Sequence, residues 1–159
     1  MELYLVRHAH AGDPAKWHHG DADRPLSRRG RAQAERLGRF LARSGSRPDA
    51  IVSSPKRRAA ETAELIAEAL EVTWRTDDRL ASGFDLWHLE HVVQDGGQPA
   101  RLLIVGHDPD FSTLLAELTG APAIPMPKGA LARVDFDGPP TAGAGVLRWL
   151  VPPELLEAG

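Results

Sequence analysis

Histidines and arginines in this chain stand where short apolar runs end. Leu3-Tyr4-Leu5-Val6 gives way to Arg7-His8; Ile51-Val52 runs through Ser53-Ser54-Pro55 toward Arg57 and Arg58; Leu102-Leu103-Ile104-Val105 ends in Gly106-His107-Asp108-Pro109. Such runs read as buried strands, and in open α/β sheets ligands bind beyond the carboxyl ends of the strands. If these strands are parallel neighbours, two imidazoles and two guanidiniums converge on one sheet edge. The set suits a phosphoryl group. A guanidinium matches its oxygens bidentately and stays charged at any working pH. A neutral imidazole is a nucleophile at pH 7, and a second, protonated one binds an oxygen on which charge accumulates. The reading therefore makes His8 the nucleophile and Arg7 a holder of the oxygens. The helix expected after Ser54-Pro55, with Ser54 as its cap, adds a dipole favourable to an anion.

Positioning these groups requires elements between the strands, and the periodicity supplies them. Residues 9–25 form a long irregular polar stretch, which inside a small domain is usually functional. Ser27 then caps a helix with Ala34, Leu37, Gly38 and Leu41 on one apolar face and Gly45 as its stop. Ala59, Thr62, Ala63, Ile66 and Leu70 stripe a second helix, Val72-Thr73-Trp74 reads as a third strand, and Leu86, Leu89 and Val93 mark a helix ended by Gly96-Gly97. Phe111, Leu114, Leu115 and Leu118 mark another, stopped by Gly120, before two alternating segments at 131–136 and 146–151. The predicted fold is α/β, a three-layer α/β/α sandwich. Its mostly parallel central sheet carries an antiparallel C-terminal edge hairpin, in a single domain over residues 1–159.

Composition bounds the chemistry. With no cysteine, disulfides, thiolate metal sites and cysteine nucleophiles are excluded, which suits a reducing compartment. Met1 leads almost directly into the first strand, and no apolar run approaches the ~18 residues of a membrane span. The expectation is a cytoplasmic protein without membrane attachment. A net charge of -3 argues against general nucleic-acid affinity. More than half of the Lys and Arg nevertheless lie between Arg24 and Arg58, a set of solvated helix faces or a positive field that steers an anion or an acidic partner.

Four segments in order resemble one known family: Leu5-Val6-Arg7-His8-Ala9, Arg24-Pro25-Leu26-Ser27 with Gly30, Ser54-Pro55-Lys56-Arg57-Arg58-Ala59 with Thr62-Ala63, and Val105-Gly106-His107-Asp108-Pro109. They resemble the histidine phosphatase (phosphoglycerate mutase-like) superfamily. The short chain and Lys128-Gly129-Ala130-Leu131-Ala132 resemble most its small phosphohistidine phosphatases of the SixA type. The resemblance implies His8 as the nucleophile that forms a phosphohistidine, flanked by Arg7. It implies Arg58, rather than Arg57, as the second arginine, His107 as the second histidine, and Arg24 as a further pocket arginine. No cofactor and no metal are implied. The implied substrate is a phosphorylated protein, such as a His-containing phosphotransfer domain, or a small phosphorylated molecule, handled by a monomer or weak dimer.

Departures are present. Ala9 stands where glycine is commoner, Glu61 replaces a frequent glutamine, and Asp108 a frequent asparagine. Larger members carry an acidic proton donor in an inserted segment for which this chain has little room. Asp108 is a candidate proton donor by position, but Asp108-Pro109 reads first as helix cap and first helical residue. Two rivals remain. His8-Ala9-His10, with His18 and His19 nearby, resembles metal-dependent hydrolases, which usually need a larger barrel. A non-catalytic phosphate or phosphohistidine binder would keep the pocket without turnover, and a phosphatase of small phosphoesters is the nearest enzymatic alternative.

Overall fold

Strand β1 (Glu2–Arg7), whose Leu3, Tyr4, Leu5 and Val6 are all fully buried, lies inside a six-stranded sheet ordered β3-β2-β4-β1-β5-β6. The computed structural model describes residues 1–157. Strands β2 (Ala50–Ser53), β3 (Trp74–Thr76) and β4 (Arg101–Gly106) run parallel to β1; β5 (Leu131–Asp135) pairs antiparallel with β1, and β6 (Val146–Val151) antiparallel with β5. Unbroken apolar runs suit the central strands because both sheet faces are covered. On one face Leu3, Leu5, Leu102 and Ile104 pack against helices α3 (Leu86–Asp95) and α4 (Asp110–Thr119). On the other, Tyr4, Val6, Leu103 and Val105 meet α1 (Arg28–Arg43) and α2 (Arg57–Leu70). A short α5 (Glu154–Glu157) reaches α1 through Glu157 and Arg36, 4.0 Å apart.

Register aligns the reactive ends. Arg7 stands opposite Gly106, and Val105 opposite both Val6 and Ser53, so His8, Ser54 and His107 emerge together at one edge. Two glycines permit the close approach. A Cβ on Gly106 would lie 2.6 Å from the Phe111 ring, and one on Gly30 only 1.9 Å from the His10 carbonyl oxygen. Gly30 thus lets the first turn of α1 press on the chain just after β1.

Ser27 caps α1 as its sequence indicates, its Oγ accepting from the Gly30 N–H at 3.0 Å. Two expectations shift. The third strand begins at Trp74, not Val72, because the Val72 N–H is used to close α2 on the Ala67 carbonyl at 3.1 Å. Helix α2 begins at Arg57 with Lys56 as its cap residue, because Ser54 still belongs to the sheet edge: its N–H donates to the Val105 carbonyl at 2.9 Å.

Candidate functional site

His8 leaves β1 with its N–H on the Gly106 carbonyl at 3.0 Å, while the Gly129 N–H is shared between the carbonyls of Arg7 (3.1 Å) and His8 (3.0 Å). Its ring Nδ1 lies 2.7 Å from the Ala9 carbonyl oxygen. A carbonyl only accepts, so Nδ1 carries the proton and Nε2 keeps the lone pair. Burial, and after it the fields of Arg58, Arg7 and Lys128, push the imidazole down to about 3. His8 is therefore neutral, with a free nucleophilic nitrogen, at any physiological pH.

The ring of His107 lies beside it, centroids 5.3 Å apart. Its Nε2 is 2.7 Å from Ser54 Oγ. Burial, with His8, Arg58 and Lys56 next to it, pushes His107 down to about 3 as well. The second imidazole is thus neutral in the ligand-free pocket, where a protonated one was expected, because apolar burial and surrounding cations both disfavour the imidazolium.

The arginines close the cup. Arg7 donates from Nη1 to the Met126 carbonyl at 2.9 Å. Arg58, 6% exposed, donates from Nη1 to the Asp21 carbonyl at 3.0 Å and pairs through Nη2 with the Asp21 carboxylate at 3.1 Å. Its partner is thus Asp21 rather than an acid of its own helix; Glu61 pairs with exposed Arg57 (3.6 Å) and with Arg31 (3.2 Å), and accepts the Leu26 N–H. Arg24 is 7% exposed, donating to the Ala11 carbonyl at 2.9 Å and to Asp21 at 3.3 Å. Among the described residues, the buried side-chain polar atoms without a partner are Arg7 Nε, Arg58 Nε and His107 Nδ1. Buried polar atoms without a partner are costly, so the collection of two guanidinium N–H groups and an imidazole nitrogen around His8 marks a site built for a ligand.

Asp108 serves both its helix and Arg7. Its carboxylate accepts from the Ser112 N–H (3.0 Å) and hydroxyl (2.6 Å), and Ser112 Oγ accepts from the Met126 N–H at 2.9 Å. With Arg7 on the Met126 carbonyl and 3.5 Å from Asp108, the four residues form a closed brace. The carboxylate thus satisfies a first-turn N–H of α4, although the helix itself begins at Asp110.

His10, His18 and His19 do not assemble. His10 lies 2.7 Å from Ser27 Oγ and its N–H donates to Gln33; His18 and His19 are exposed. Among the described residues, no group of three or more His, Asp or Glu side chains is placed to hold a metal ion.

Three residues of the site escaped sequence reasoning in these roles. Asp21 lies in an unpatterned loop, Ser54 reads from the sequence as a helix cap, and Lys128 stands in a segment that carries no local sign of its nearness to His8 and Arg7. Burial and the proximity of Arg7, Arg24 and Arg58 hold the Lys128 ammonium below its usual range.

Residues 3–90 match the family model of the histidine phosphatase superfamily, branch 1. An uncharacterised protein of Picosynechococcus is 35% identical over 116 residues, covering 70% of this chain and 68% of its own. One of Mycobacterium tuberculosis is 32% identical over 146 residues, covering 90% and 86%. Among solved structures, the protein histidine phosphatase SixA complexed with tungstate superposes with a TM-score of 0.84 at 24% identity, over 98% of this chain and 99% of that one. The alpha-ribazole phosphatase of Shigella flexneri reaches 0.70 at 19%, over 94% and 96%. At these identities the structural likeness establishes the fold.

Proposed function

Since the chain belongs to the histidine phosphatase superfamily, we propose that it is a phosphatase working through a phosphohistidine on His8, with a phosphohistidine-bearing protein as its substrate. The observation that carries this reading is the set of buried polar atoms without a partner, Arg7 Nε, Arg58 Nε and His107 Nδ1, gathered around the neutral imidazole of His8. Two buried guanidiniums beside two imidazoles suit an oxyanion, and the similar SixA structure is a complex with tungstate.

Two in-line displacements follow. The His8 Nε2 lone pair attacks phosphorus, the P–N bond to His8 forms, and the bond to the leaving group breaks. Water then attacks the phosphohistidine, the P–N bond breaks, and His8 and orthophosphate are released. Arg7, Arg58 and His107 stabilise charge on the equatorial oxygens, and Arg24 lines the entrance. Removing one such preorganised donor typically costs ~3 kcal/mol of barrier. Because fixed guanidiniums supply the positive charge, this reading requires neither metal nor cofactor.

A protein substrate is favoured by the cations outside the cup. Arg29 and Lys128 stand near His10, two residues past His8, and Arg28 and Arg29 are exposed at the start of α1. Such a rim suits the acidic surface of a phosphotransfer domain. The test is an alkaline quench during turnover of radiolabelled phosphoramidate: label on His8, absent in His8→Ala, is the expected result. Turnover with label elsewhere overturns the mechanism, and binding without turnover leaves a phosphate-binding module. Side-by-side assays on phosphohistidine protein and sugar phosphates decide between the protein substrate and small phosphoesters.

A further inference from the structure

Ser54 has no exposed surface, and its hydroxyl oxygen has two polar neighbours among the described residues: the Lys56 N–H at 3.2 Å and His107 Nε2 at 2.7 Å. The Lys56 N–H donates to it. The hydroxyl's single proton then has one available acceptor, His107 Nε2. Were Nε2 to donate instead, two defects would follow. The Ser54 proton would be buried without an acceptor, and the lone pair on Nδ1 would face the place where the oxygens of an anion must lie.

We propose that the Ser54 hydroxyl donates to His107 Nε2 and holds the neutral ring in the tautomer with its proton on Nδ1, so that His107 offers an N–H to a phosphoryl oxygen without being charged. Ser54 is thus a positioning residue, acting through His107, and its role rests on the phosphatase reading above. The position of the unpaired atom fits: on this ring it is Nδ1 that is buried without a partner. The sequence context fits as well. Ser54 extends β2 by one residue beside β4, its N–H on the Val105 carbonyl, which sets its side chain next to the imidazole that follows β4. A hydroxyl placed there for capping alone would have no need of the histidine.

The arrangement also reconciles a neutral second imidazole with catalysis. Burial and the neighbouring His8, Arg58 and Lys56 make the imidazolium unfavourable in the ligand-free pocket, yet the fixed tautomer supplies a donor there.

NMR of protein carrying isotope-labelled histidine, with His107 assigned through a His107→Asn variant, reads the tautomer directly at neutral pH. The expected result for the unmodified protein is a protonated Nδ1 and a bare Nε2 on His107. Ser54→Ala is expected to give the other tautomer or a mixture, and to lower kcat on phosphoramidate about tenfold or more with a smaller change in KM. Ser54→Thr, which keeps the hydroxyl, restores both. A bare Nδ1 in the unmodified protein overturns the proposal, as does a Ser54→Ala variant that keeps both tautomer and kcat. If Ser54→Ala does not fold, the spectrum of the unmodified protein decides alone. Trapping on His8 separates the two readings: label on His8 with a bare Nδ1 sinks only the tautomer, whereas no label with a protonated Nδ1 sinks only the mechanism.

Discussion

Asp21 holds Arg58 twice, accepting from Nη1 through its backbone carbonyl at 3.0 Å and pairing with Nη2 through its carboxylate at 3.1 Å. The same carboxylate lies 3.3 Å from Arg24 Nε, so an internal anion occupies two cations of the pocket while Arg58 Nε stays free. Burial acts upward on this acid, but Arg58 and Arg24 hold it below the usual carboxylate range, so it is ionised at neutral pH.

An incoming dianion meets that negative charge. Asp21→Asn removes it while the backbone carbonyl still anchors Arg58. The expected outcome is inorganic phosphate binding tightened about fivefold, the upper range for an exposed ion pair. Calorimetry checks this; weaker binding would show that the carboxylate is needed to aim Arg58.

Arg57 and Arg58 are neighbours in sequence with opposite surroundings. Arg58 is buried with an unpaired Nε, whereas Arg57 is exposed and 3.6 Å from Glu61. Arg58→Ala should lower kcat/KM at least a hundredfold. Arg57→Ala should change it by less than about threefold. Equal losses in steady-state assays would place the wrong guanidinium in the cup.

The pocket should also make the fold acid-sensitive. His8 falls from 6.5 in the unfolded chain to about 3 in the fold, chiefly through burial, and His107 likewise. Between those values the unfolded chain binds the protons and the native state does not, so stability is full above about pH 6.5 and falls as pH drops toward 3. Urea midpoints in phosphate-free buffer should therefore decline from pH 7 to 4, and decline less steeply in His8→Gln. Equal slopes for the two proteins would contradict a neutral buried His8.

What the sequence discloses here follows from how local each signal is. Apolar runs long enough to be covered on both faces mark β1 and β4, and α1 carries its own cap and stop in Ser27 and Gly45. The strand ends therefore locate His8 and His107 without further information. Asp21 could not be found that way, because its pairing with Arg58 spans 37 residues and arises only when the loop after β1 folds back over α2. Ser54 fails for a different reason: Ser-Pro is a genuine capping signal and Ser54 Oγ does accept the Lys56 N–H at 3.2 Å, but the Ser54 N–H is held by the sheet, so the helix starts only at Arg57. Val72, likewise, has strand character by composition and is taken up by the end of α2.

Gly30 shows how the first turn of α1 sets the position of the loop after β1. The Ser27 N–H donates to the His10 carbonyl at 3.0 Å, and a Cβ on Gly30 would stand 1.9 Å from that same oxygen. The obstacle is backbone, so the chain after His8 must move, and with it the Ala9 carbonyl that fixes the His8 ring. Gly30→Ala improves helix propensity by about 1 kcal/mol in isolation. Here overpacking should reverse the sign, costing about 1–3 kcal/mol of stability and lowering kcat more than KM because the proposed nucleophile, His8, is misaimed. A thermal melt and a steady-state assay on the variant check both; a stabilised or fully active Gly30→Ala would show that the loop after β1 yields without disturbing His8.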